Sequence, residues 1–152
     1  MRTLDYGTCF IELANTINHE RPYYVVQRTE QALIERGHQL AGANILVLGV
    51  TYKSDIDDAR ETPAQDIMAA LAHGGANVTY SDPQVEAIAA GGTSYTDTPL
   101  TAERLAEADC VLLVTNHRDF DYGFIARHAR LIVDTRNAFK GVTGGNAEIV
   151  RL

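Results

Sequence analysis

Apolar positions change period along the chain. Phe10, Leu13, Ala14 and Ile17 recur at helical spacing, and Val25, Val26, Thr29, Ala32 and Leu33 continue the pattern beyond Pro22. Pro22 either kinks one long helix or opens a second, because its ring removes a backbone donor and crowds the preceding turn. Gly37 supplies the stop. Taken as one element, residues 8–36 run ~40 Å at ~1.5 Å per residue, longer than the diameter of a domain built from the rest of the chain. A helix that overhangs its own domain packs against another domain or a second copy, and Tyr23 and Tyr24 suit such a face.

From Asn44 onward the pattern shifts to short apolar runs at 45–50, 76–81, 110–115 and 131–134. Helical segments at 63–73, 99–107 and 119–128 separate them. Strands that are apolar on both sides and alternate with helices predict an α/β fold. The expected architecture is a Rossmann-like parallel sheet with helices on both faces, preceded by a long N-terminal helix. This divides the chain into a helix region, 1–40, and a Rossmann-like domain, 41–152. The 63–73 helix carries the fullest local signals. Thr62 is the expected N-cap, Pro63 sits where its missing donor costs nothing, Gln65 completes a capping box, and Gly74-Gly75 ends the helix. Ala64, Ile67, Met68 and Leu71 form its apolar face, so Met68 is core packing rather than a ligand contact.

Composition narrows the function classes. Among 152 residues, 13 basic and 20 acidic side chains leave a net charge of −7, which argues against a nucleic-acid partner. The longest apolar run, Ile45 to Val50 with Gly49 inside it, is far too short to cross a bilayer, and no leader-like segment opens the chain. A soluble, cytoplasmic domain is expected. Two cysteines, Cys9 and Cys110, are too few and too far apart for a disulfide framework or a thiolate metal site. Cys110 opens a buried strand and is expected to be inert, and Cys9 has no neighbouring histidine to activate it. The five histidines show no ligand spacing, so no metal site is expected.

Ligands of parallel α/β sheets bind beyond the carboxyl ends of the strands. The segment after the first strand, residues 51–62, is long for such a connection and lacks the G-x-G-x-x-G that admits a pyrophosphate. It offers Lys53 and Arg60 among Asp55, Asp57, Asp58 and Glu61, and Arg136 follows the last strand on the same edge. A lysine point charge and an arginine fork are what a phosphate or carboxylate requires, although such runs are also common as solvated, locally paired charge. Asp82 stands where an acid binds ribose in a dinucleotide fold, but its place before Pro83 reads better as a turn residue. Asn116 and His117 either line the ligand edge or serve a turn.

Several blocks resemble a known family. Phe10-Ile11-Glu12-Leu13-Ala14, Ile17-Asn18 and Pro22-Tyr23-Tyr24-Val25-Val26 resemble the central helix of bacterial nucleotide-sugar 6-dehydrogenases. Leu48-Gly49-Val50-Thr51-Tyr52-Lys53 with Asp58-Ala59-Arg60-Glu61-Thr62-Pro63-Ala64 is similar to that family's G-x-x-[YF]-K…D-x-R-E-[ST]-P-A signature. Ser81-Asp82-Pro83 and Val133-Asp134-Thr135-Arg136-Asn137 match later blocks. The UDP-N-acetylhexosamine and UDP-glucose types are the most similar. The resemblance implies a C-terminal UDP-sugar-binding domain with its central helix, in which Tyr52, Lys53 and Arg136 contact the UDP-sugar and Arg60 reaches toward NAD. It also implies a homodimer through residues 8–36, and an N-terminal NAD-binding domain outside this chain. The family oxidises C6 of the sugar to a carboxylate through a cysteine in a G-G-x-C block. Cys9, in Tyr6-Gly7-Thr8-Cys9-Phe10, is not in such a block, so no catalytic residue is assigned and the chain alone is expected to be inactive. Met1 opening directly into the helix fits a truncated chain or a split gene. The alternative is a stand-alone nucleotide-sugar-binding or protein-interaction module without catalysis.

Overall fold

The computed structural model describes residues 6–52 and 62–152, with side chains from residue 21 onward. Helix α1 (Tyr6–Glu35) is one continuous element with Pro22 inside it, so the proline does not divide it. It ends at Gly37, whose φ of +81° is open to glycine without strain, and the amide of His38 reaches back to the Leu33 carbonyl at 2.9 Å.

The sheet follows the expected alternation. Strands β1 (Asn44–Leu48), β2 (Asn77–Ser81), β5 (Cys110–Leu113), β6 (Leu131–Asp134) and β7 (Glu148–Arg151) form one parallel sheet in the order β2-β1-β5-β6-β7. Three helices, α2 (Pro63–His73), α3 (Ala102–Glu107) and α4 (Tyr122–His128), connect the strands. Alternation along β1 separates two cores. Ile45 and Val47 join α1 and α2 side chains such as Leu33, Met68 and Leu71, whereas Leu46 and Leu48 join Leu105, Ile125 and Phe139 of the other face. The protein is thus a Rossmann-like three-layer domain with helices on both faces of its sheet. Among the described residues no helix is long and apolar enough to cross a membrane.

Five elements differ from the sequence reading. An antiparallel hairpin of β3 (Ala87–Ala90) and β4 (Thr93–Thr96) was not expected, nor was β7. The hairpin turns on Gly91-Gly92, both with positive φ, as a tight two-residue turn requires. At α2, Thr62 caps as expected, its hydroxyl accepting from the Ala64 amide at 3.2 Å. Gln65 does not close a capping box; its side-chain amide donates to the Ala89 carbonyl at 3.0 Å and fastens the hairpin to the helix. Helices α3 and α4 start later than expected, at caps Thr101 and Asp121.

All five strands of the sheet finish on one rung. Leu48 pairs with Ser81 and Leu113, Leu113 with Asp134, and Asp134 with Arg151. Whatever follows these residues therefore lies on a common, level edge.

Candidate functional site at the carboxyl edge

Chain order reverses between β1 and β5, and this reversal is where a crevice opens in parallel α/β sheets. Gly49 begins the departure from β1 with φ of +79°. A Cβ there would stand 2.0 Å from the Thr115 carbonyl oxygen, so only glycine permits β1 and the β5 tip to approach so closely. Beyond it the Val50 amide donates to Asp82 Oδ2 at 2.7 Å, and the Thr115 hydroxyl donates to the Thr51 carbonyl at 2.7 Å. Side chains just past β2 and β5 thus hold the outgoing β1 segment at residues 50 and 51, and Tyr52 beyond them is 51% exposed.

Arg136 occupies the corresponding place after β6. The buried Asp134 carboxylate accepts from the amides of Arg136 at 2.9 Å, Ala138 at 3.2 Å and Phe139 at 3.0 Å, which folds residues 134–139 into a tight turn. Asn137 takes the left-handed conformation that this turn needs, with φ of +58°. The Arg136 Nε donates to the Val114 carbonyl at 3.0 Å, drawing the guanidinium over the β5 tip. Neither Nη group of Arg136 has a hydrogen-bond or ion-pair partner among the described residues. A guanidinium held through Nε and open at both Nη atoms presents a planar fork for a phosphate or carboxylate.

Tyr52 and Arg136 therefore share the carboxyl edge, on tips two strand spacings, about 10 Å, apart. Lys53 and Arg60 lie outside the described residues, as do Asp55, Asp57, Asp58 and Glu61. Asp82 and His117 do more than serve turns. Asp82 Oδ1 accepts from the Gln84 amide at 2.7 Å, which is turn chemistry, while Oδ2 lies 3.0 Å from His117 Nε2. Both residues are almost wholly buried. Their contact joins residues far apart in the chain, so no local spacing announced it.

The same geometry shows whether NAD fits these residues. A dinucleotide pyrophosphate needs free backbone amides at the β1 tip and at the following helix N-terminus. Here the Val50 amide is taken by a carboxylate, Ala64 N by the Thr62 hydroxyl and Gln65 N by the Thr62 carbonyl, and Pro63 has none. Among the described residues, these amides are therefore not free to cradle a dinucleotide pyrophosphate. Cys110 is fully enclosed, and burial pushes its thiol up to about 12, which keeps it protonated and unreactive at neutral pH.

The fold is that of a Rossmann-like α/β domain whose Val50 amide, just past β1, is already occupied by a carboxylate. Residues 46–141 match the model of the UDP-binding domain of the UDP-glucose/GDP-mannose dehydrogenase family, and the chain belongs to that family. It is 30% identical over 113 residues to the UDP-N-acetyl-D-mannosamine dehydrogenase of Methanococcus maripaludis, an alignment covering 73% of this chain and 24% of that protein. It is 28% identical over 164 residues to the UDP-glucose 6-dehydrogenase of Rhizobium meliloti, covering 88% of this chain and 36% of that one. The structure of a UDP-D-ManNAc dehydrogenase from Pyrococcus horikoshii superposes with a TM-score of 0.79 at 23% identity, over 98% of this chain and 34% of the other, and shows the shared fold. The chain thus spans between 24% and 36% of the length of these three proteins.

Proposed function

We propose that this chain is the UDP-sugar-binding part of an NAD-dependent nucleotide-sugar 6-dehydrogenase, an enzyme that oxidises the C6 hydroxyl of a UDP-sugar to a carboxylate in the cytoplasm. Tyr52, Lys53 and Arg136 bind the nucleotide-sugar. Arg60 reaches toward NAD, which is held by residues outside this chain, and the chain alone does not complete the reaction. The observation that carries the reading is the Arg136 fork, seated by Nε on the β5 tip with no Nη partner among the described residues, on the same edge as the half-exposed Tyr52. A diphosphate-linked sugar is long enough to touch both tips. Binding of this kind holds and orients the substrate, while the redox step depends on groups supplied elsewhere.

Calorimetry tests it directly. UDP titrated into the chain is expected to give saturable heat, and NAD none. Arg136→Ala removes a charge-assisted contact of ~1.5–3 kcal/mol and should weaken UDP ~10-fold or more. In the complete enzyme, Lys53→Ala should raise KM for the UDP-sugar. Absence of UDP binding, or indifference to Arg136→Ala, would remove this edge from the substrate site.

A further inference from the structure

The carboxyl edge contains a group of polar side chains that are too buried to touch a ligand. His117, Asp82 and Thr51 are 1%, 2% and 0% exposed, and they come from the tips of three neighbouring strands, β5, β2 and β1. His117 Nε2 lies 3.0 Å from Asp82 Oδ2 and 3.2 Å from the Thr51 hydroxyl oxygen. In the tautomer that carries its proton on Nε2, His117 donates to the Asp82 carboxylate, with the Thr51 hydroxyl oxygen at the longer 3.2 Å.

We propose that the His117–Asp82 pair is a positioning device that sets the path of the chain as it leaves β1, and through it the bearing of Tyr52 on a uridine diphosphate ligand. The proposal rests on the reading above that Tyr52 faces such a ligand. Residues 50 and 51 receive three bonds from this group and its neighbour. The Val50 amide donates to Asp82, the Thr51 hydroxyl meets His117, and the Thr51 carbonyl accepts from Thr115. Both members of the pair are themselves held. Asp82 is fixed through the Gln84 amide on its carboxylate and through its own amide, which donates to Asp97 Oδ1 at 2.8 Å. The His117 carbonyl accepts from the Tyr122 hydroxyl at 2.7 Å, and the ring packs on Phe120 at 5.6 Å.

The energetics favour a geometric role over a stabilising one. Desolvating an imidazole and a carboxylate offsets most of their attraction, so such a pair adds little net stability over an apolar filling of equal volume. What it adds is direction, because one imidazole nitrogen must lie within hydrogen-bond reach of oxygens from two different strands. The first side chain beyond this lock is Tyr52, and its register on the ligand follows from where residue 51 is held.

The test compares wild type, His117→Ala, His117→Gln and Thr51→Val by UDP calorimetry, melting temperature and the Tyr52 amide resonance in a nitrogen–proton correlation spectrum. His117→Ala is expected to weaken UDP at least 10-fold and to move the Tyr52 resonance. His117→Gln, whose amide still donates to Asp82, should regain most of the affinity and return the resonance. Thr51→Val, which keeps the fold's shape without the hydroxyl, should lose affinity a few-fold. If His117→Ala binds UDP within two-fold of wild type, or Gln fares no better than Ala, the pair is merely structural and the proposal is overturned. Should wild type bind no UDP, the substrate reading fails on its own. The Tyr52 resonance then decides the positioning claim: unmoved in His117→Ala, the claim falls; moved and restored by Gln, it holds.

Discussion

Tyr80 shows how a single side chain can be apolar by position and polar by chemistry. Its ring is fully buried, and its hydroxyl donates to the Val85 carbonyl at 3.0 Å. Burial first, then the nearby Asp97, Asp82 and Glu86 carboxylates, push its pKa up to about 12. The unfolded chain loses that proton near pH ~10, whereas the folded chain retains it. Folding stability is therefore insensitive to this group below pH ~10 and falls as pH climbs from there toward 12. Urea midpoints measured across that window should drop, and Tyr80→Phe should remove this component of the slope. Residue-scale reading succeeded where environment follows from a short run, as for Met68 and Cys110, both fully buried as expected. It undervalued Asp82 and His117, whose significance lies in each other across 35 positions of sequence.

Elements were legible in proportion to how local their causes are. Helix α2 was readable to the residue because its cap, its Pro63 and its Gly74-Gly75 stop are all contiguous. The β3–β4 hairpin had a signal too, Gly91-Gly92, but its strands are only four residues each, one rich in alanine and the other mostly polar, and fell below the apolar pattern used for the others. Strand β7 has a weaker pattern still, and it is secured by pairing with β6 and by the exposed Arg36–Glu148 ion pair at 2.7 Å. At the end of β1, Gly49→Ala would impose a positive φ on alanine and drive its Cβ into the Thr115 backbone. Neither obstacle is a flexible side chain that can step aside. The substitution should cost at least ~2 kcal/mol, read as a lowered denaturation midpoint, and should weaken UDP by displacing the β1 exit.

At the scale of the whole molecule, the long helix is by far the longest element. Thirty residues of α1 measure ~45 Å, against ~16 Å for the five residues of β1. Val25, Ala32 and Leu33 are buried in the domain core, while Tyr23 and Tyr24 are 67% and 46% exposed. We expect a second copy to cover this face, with residues 1–40 as a dimerisation region and 41–152 as the binding domain. Sedimentation should then report a dimer, and Tyr23→Glu with Tyr24→Glu should shift it toward monomer. A monomeric wild type would remove the dimer reading.

The amino-acid sequence alone determined the alternation of parallel strands and helices, the long leading helix, the placement of Arg136 at a strand end and the lack of a pyrophosphate loop. Each of these depends on periodicity, capping or turn chemistry, which act over a few residues. Only the tertiary structure decided that five strand ends lie level, that a carboxylate from β2 occupies the β1 amide, and that His117 meets Asp82. Those contacts are made by strand order and register, which bring distant residues within hydrogen-bond reach and leave no periodic trace in the chain.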